Sequence, residues 1–144
     1  MKQFLIKNKA EMVDLAKKIA NDAKIGDVFG LKGTLGAGKS FFAQAFINAL
    51  RDANNGENPE VLSPTFNLVY TYDTNKGEVA HFDLYRLKSA DELENIGFFD
   101  ALQNGISLIE WPEVAERYLK RHYVEIEIKV IDGFGEEGRE VFLR

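Results

Sequence analysis

The chain has no cysteine. That excludes disulfide scaffolds, cysteine-based zinc sites, iron–sulfur clusters and thiol nucleophiles. Histidine is scarce as well, with two residues, His81 and His122, so there is little equipment for acyl chemistry. No apolar run approaches the length of a membrane span. The start, MKQFLIKNKAEMVDL, carries neither a signal-peptide apolar segment nor a small-residue cleavage site, and a cytoplasmic location is expected. A surplus of positive charge is also missing: 18 Lys+Arg stand against 23 Asp+Glu, a formal net charge of −5. Unaided nucleic-acid binding is therefore disfavoured, because phosphate neutralisation supplies most of that affinity. The best candidate for a local basic patch, Arg117, Lys120, Arg121 and His122, reads at least as well as a solvated helix end. Low-complexity tracts and internal repeats are absent.

What is present fits one globular domain spanning residues 1–144. Of its 144 residues, 45% are hydrophobic and 28% charged, and a chain this long buries roughly two-thirds of its unfolded surface. After a short apolar start (Phe4, Leu5, Ile6), Asn8 and Glu11 have capping-box spacing. Met12, Leu15, Ala16, Ile19, Ala20 and Ala23 then recur at helical period. Gly26-Asp27 ends that helix. Val28 to Leu31 reads as a strand covered on both faces, and a second helix is predicted from about Gly38 to Leu50. Arg51 to Pro59 is a polar loop. A strand is predicted from Val61 to Tyr72, with Phe66, Leu68, Tyr70 and Tyr72 on one face. Thr74 to Gly77 is a turn and Val79 to Asp83 the returning strand. Ser89 with Glu92 caps a short helix that Gly97 stops, and Phe98 to Gln103 adds another turn or two. Ile106 to Ile109 is a buried-type strand running into Glu110. Pro112 opens a short helix to about Leu119. Val124 to Val130 alternates, and Glu140 to Leu143 is a final strand. The pattern predicts an α/β fold with a parallel central sheet, antiparallel hairpins at its edges and flanking helices.

Gly33-Thr34-Leu35-Gly36-Ala37-Gly38-Lys39-Ser40 matches the phosphate-binding pattern G-x-x-x-x-G-K-[ST] in full. Glycines let the backbone turn its N–H groups inward on phosphate oxygens. The helix that follows adds unpaired amides and a positive dipole end. Lys39 is expected over the β- and γ-phosphates and the Ser40 hydroxyl on Mg²⁺. A strand before the run and a helix after it give it the right context. Such a site needs an acidic residue at a neighbouring strand end, and two qualify: Asp83 after Val79-Ala80-His81-Phe82, and Glu110 after Ile106-Ser107-Leu108-Ile109. In Ser63-Pro64-Thr65, Thr65 sits where a switch threonine senses a γ-phosphate, although a plain polar turn fits equally. His81 reads as a strand histidine that packs or hydrogen-bonds. Arg86 is a candidate phosphate contact that nothing in the spacing requires, and Trp111 is either a partner anchor or core. Asn75-Lys76-Gly77-Glu78 imitates the guanine-reading N-K-x-D run, but with Glu for Asp and in a turn. Adenine is thus the expected base by default.

Together GTLGAGKS (33–40), SPTFNLVYTY (63–72), HFDLYRL (81–87), Glu94-Asn95-Ile96-Gly97 and LIEWPE (108–113) resemble the bacterial TsaE family, small P-loop ATPases of tRNA threonylcarbamoyladenosine synthesis. The resemblance covers residues 26 to about 113 and implies the P-loop NTPase fold. It implies weak ATP hydrolysis by the chain alone, activation by the partners TsaB and TsaD, and tRNA contact only through that complex. By analogy, Ser40 and Glu110 contact Mg²⁺, Asp83 is the Walker-B-like carboxylate and Thr65 belongs to a switch-like loop. Two other classes compete. A small-molecule kinase would use the same cradle, yet it usually needs an arginine-bearing lid, and the six arginines here are scattered. A nucleotide-gated docking module would bind without needing hydrolysis.

Overall fold

The computed structural model describes residues 1–51, 61, 67–119 and 122–144. The expected loop after Arg51, the Ser63-Pro64-Thr65 segment, Phe66 and Lys120-Arg121 lie outside the described residues. The strands are β1 (Lys2–Ile6), β2 (Val28–Lys32), β3 (Val69–Thr74), β4 (Gly77–Asp83), β5 (Ile106–Glu110), β6 (Val124–Val130) and β7 (Arg139–Leu143). The helices are α1 (Lys9–Asp22), α2 (Lys39–Leu50), α3 (Ala90–Asn95) and α4 (Phe98–Asn104), with a 3-10 helix over Pro112–Tyr118. All seven strands join one sheet in the order β1-β7-β6-β2-β5-β4-β3. β6, β2, β5 and β4 run parallel at its centre. β3 adds antiparallel at one edge, and β7 and β1 at the other. The expected plan of a parallel centre with antiparallel edges is the observed one. Among the described residues, no helix is long and apolar enough to cross a membrane.

The alternation along each central strand divides the core in two. Phe29 and Leu31 of β2, with Ile106 and Leu108 of β5, pack on α1 and α2. Val28, Phe82 and Ile109 point the other way, onto Leu93 of α3 and Phe98 and Leu102 of α4. Every residue of β5 is buried, Glu110 included. The predicted stripe of α1 is the buried one: Met12, Leu15, Ala16 and Ala20 face inward.

Local chemistry sets the element ends. The Asn8 Oδ1 accepts from the Glu11 N–H at 3.0 Å, while the Glu11 carboxylate reaches back to the Lys7 N–H at 2.8 Å. The second bond falls one residue earlier than a strict capping box places it. The last turn of α1 has no basic residue of its own. Lys76, in the β3–β4 turn, supplies one: its Nζ donates to the carbonyls of Ala20 (2.9 Å), Asn21 (2.5 Å) and Ala23 (2.7 Å). The lysine of the guanine-like decoy is thus a helix cap.

One expectation is corrected. Of the strand expected from Val61 to Tyr72, residues 62–66 lie outside the described residues, and the strand described there starts at Val69, because Leu68 takes a left-handed conformation (φ 67°) that breaks the alternation. There the Leu68 side chain is buried and its carbonyl accepts the Asp83 N–H at 2.9 Å. Satisfying that buried donor offsets the roughly 1–2 kcal/mol of the left-handed backbone. The short helix expected from Pro112 is present, as a 3-10 helix over Pro112–Tyr118.

Candidate functional site

Between β2 and α2 the chain bends through Gly33–Gly38. Glycine is required at 33 by contact: a Cβ there would lie 2.7 Å from the Ile128 carbonyl oxygen and 3.0 Å from the Ala37 Cβ. Gly38 is required by backbone, at φ 111°, just before α2 begins. The Ala37 N–H bonds the Thr34 carbonyl at 3.1 Å. Arg139 of β7 holds the loop from outside, its Nε donating to the Ala37 carbonyl at 2.7 Å. α2 starts with no side-chain cap and no acidic residue in its first turn. Amides at such an uncapped helix start favour negative charge.

Lys39 folds back over this loop. Its Nζ donates to the Gly33 carbonyl at 2.6 Å and stands 3.8 Å from the centre of the Trp111 ring. Burial pushes the Lys39 amine below the usual lysine range, while the charges of Glu110, Asp83 and Glu113 push the other way. Trp111 has a left-handed backbone (φ 61°), an arrangement that costs about 1–2 kcal/mol. Its indole also packs on Tyr85, with ring centres 4.9 Å apart.

The two acidic strand ends lie side by side. Asp83 and Glu110 are register partners across β4 and β5, and both are buried. The Ser40 hydroxyl, on the first turn of α2, donates to the Glu110 carboxylate, at 2.9 Å from Oε2 and 3.1 Å from Oε1. His81 Nε2 lies 2.6 Å from the same Oε2. Asp83 Oδ1 accepts from the Tyr85 N–H at 3.1 Å. A cavity of ≈ 270 Å³ opens among Leu35, Gly36, Gly38, Lys39, Ser40, Phe41, Asp83, Glu110 and Trp111.

The structure therefore brings Gly33 to Ser40, Asp83 and Glu110 together; Thr65 lies outside the described residues. Three further residues belong to the site. His81 shares the Asp83 face of β4 by parity, a signal present in the sequence, but its partner is set by strand register. Trp111 is next to Glu110, and nothing in the sequence aims its ring at Lys39. Arg139 carried no signal at all. Among the described residues, no three His, Cys, Asp or Glu side chains form a metal cage. The oxygens of Ser40, Glu110 and Asp83 are instead hard donors of the kind Mg²⁺ takes, a few protein ligands complemented by water and phosphate. The donor set fits that ion.

Comparison with known proteins agrees over nearly the whole chain. The family model described as "Threonylcarbamoyl adenosine biosynthesis protein TsaE" matches residues 6–140. The tRNA threonylcarbamoyladenosine biosynthesis protein TsaE of Rickettsia felis is 41% identical over 129 residues, covering 90% of this chain and 73% of that one. The protein of the same name from Aquifex aeolicus is 40% identical over 113 residues, 78% of each chain. The crystal structure of Bacillus subtilis YdiB superposes with a TM-score of 0.74 at 30% identity, over 99% of this chain and 83% of that one. Its seven-stranded α/β sheet and its sequence alike make this chain a member of the TsaE family of threonylcarbamoyl adenosine biosynthesis proteins.

Proposed function

We propose that the chain is a single P-loop NTPase domain, residues 1–144, acting as a Mg²⁺-dependent ATPase in the cytoplasm. In this reading it serves the threonylcarbamoyladenosine modification of tRNA together with TsaB and TsaD. The observation that carries the reading is the bond from the Ser40 hydroxyl to Glu110. It joins the helix behind the glycine loop to a carboxylate at a sheet end, where a phosphate-bound cation needs both.

The amides of Gly33 to Ser40 cradle the phosphates, and Lys39 supplies a point charge once a phosphate displaces the Gly33 carbonyl from it. Ser40, Glu110 and Asp83 hold Mg²⁺, and Thr65 belongs to a switch-like segment. Bound Mg²⁺ neutralises charge developing on the phosphate oxygens. The protein's own part is positioning and electrostatic stabilisation. Among the described residues lining the cavity, Lys39 is the cation, which suits slow turnover alone and activation by a partner that adds charge. Net acidity, −5 overall, suits a subunit whose tRNA contacts come through its partners.

Phosphate release measured with and without TsaB–TsaD tests this. Slow release alone and clear stimulation by the pair are expected. No stimulation, together with no support of tRNA modification, contradicts it, and ADP release that depends on a small-molecule acceptor favours a kinase.

A further inference from the structure

Glu110 is held from two sides, and only Ser40 belongs to the phosphate loop. The other holder, His81, is fully buried in β4. In the register of β4 on β5, His81 lies beside Leu108 and Asp83 beside Glu110. The imidazole therefore reaches one pair forward to meet the carboxylate, with Nε2 2.6 Å from Oε2. The Nδ1 atom is buried and has no hydrogen-bond partner among the described residues.

These two facts assign the tautomer. A proton on Nε2 has a carboxylate to receive it. A proton on Nδ1 would be a buried donor without an acceptor, whereas a bare lone pair there is the less costly orphan. The ring then donates Nε2–H to the carboxylate and fixes its orientation. Among the described residues, Oε2 receives both His81 and the shorter Ser40 contact, and Oε1 the longer Ser40 contact at 3.1 Å. Among the described residues the carboxylate is thus held more closely through Oε2 than through Oε1.

We propose that His81 is a positioning residue, whose Nε2–H fixes the Glu110 carboxylate in the orientation that serves Ser40 and a divalent cation. The inference rests on the Mg²⁺–nucleotide reading above. Side chains that orient a metal-binding group in this way change metal affinity by about 10- to 100-fold when removed.

The test uses Mn²⁺ as a spin probe for Mg²⁺, titrated into the protein–ADP complex of wild type, His81→Leu and His81→Gln. His81→Leu keeps bulk but no donor, and His81→Gln keeps an N–H. His81→Leu should weaken Mn²⁺ binding about 10- to 100-fold, leave ADP affinity in EDTA unchanged, and be largely rescued in His81→Gln. Wild-type Mn²⁺ affinity in His81→Leu, or equal loss in both variants, overturns the proposal. If wild type binds neither ADP nor Mn²⁺–ADP, it is the nucleotide reading that falls. Should His81→Leu not fold, ¹⁵N spectra of the wild-type imidazole decide: protonated Nε2 and bare Nδ1 are expected, and a proton on Nδ1 overturns the assignment.

Discussion

Asp83 and Glu110 are cross-strand partners, the last residues of two adjacent parallel strands, yet their carboxylates are held differently. Glu110 accepts from Ser40 and His81 side chains, and Asp83 from the Tyr85 backbone N–H. The two carboxylates therefore separate on substitution. Glu110→Gln should weaken Mg²⁺-dependent nucleotide binding about 10-fold or more and lower turnover at least about 100-fold. Asp83→Asn should weaken Mg²⁺-dependent nucleotide binding less than Glu110→Gln does, while also lowering turnover. Calorimetry with and without Mg²⁺, beside single-turnover hydrolysis, checks the split.

The pairing of Lys39 with Trp111 provides an optical readout. Trp111 is the chain's one tryptophan, and the Lys39 ammonium sits 3.8 Å from its ring centre. A phosphate group that draws the lysine away from the indole changes the environment of the fluorophore. Nucleotide should alter tryptophan emission in a saturable way. Lys39→Ala should start from a different emission and lose the response.

Lys76 ties the β3–β4 turn to the C-terminal carbonyls of α1 through three bonds. Lys76→Met keeps the stem and removes the charge. It should destabilise the fold by about 1–2 kcal/mol, read as a lower midpoint in urea unfolding with the slope unchanged. Nucleotide affinity should not move, because the turn is remote from the cavity lining.

The surface pair Lys32–Glu125, 2.8 Å apart, gives a pH dependence. The hydrogen bond from Lys32, aided by Arg144, holds the Glu125 carboxyl below its ordinary 4.5. A carboxyl depressed in the folded state stabilises fully above its unfolded value, and that contribution is lost as pH falls through the folded value. Glu125→Gln should flatten the acid side of the stability profile below pH 4.5. The pair is partly exposed, so the effect is under about 1 kcal/mol and shrinks with salt.

Much of this architecture is legible in local chemistry. The stripe of α1, the covered run of β2, the capping box at Ser89 and the alternation of Ile126 and Ile128 each encode an element whose burial matches. The glycine spacing and the two strand-end carboxylates point to the cavity for the same reason: they are short-range patterns. The contacts that finish the site are long-range. His81 meets Glu110 through the register of β4 on β5, and Arg139 reaches Ala37 from the far end of the chain. Leu68 shows the converse: good strand alternation yields to the need of the Asp83 N–H for an acceptor. Lys76, read as part of a plain turn, caps a helix distant in sequence.

The central claim is that the Gly33–Ser40 bend wraps a nucleotide's phosphates while Ser40 and the strand-end carboxylates share a divalent cation. A crystal structure with a non-hydrolysable ATP analogue and Mn²⁺, phased on the metal's anomalous signal, tests it most directly. The account predicts phosphate density against the loop amides and one anomalous peak within coordinating distance of the Ser40 Oγ, next to Glu110 and Asp83. An empty loop, or a metal peak elsewhere on the protein, would contradict it.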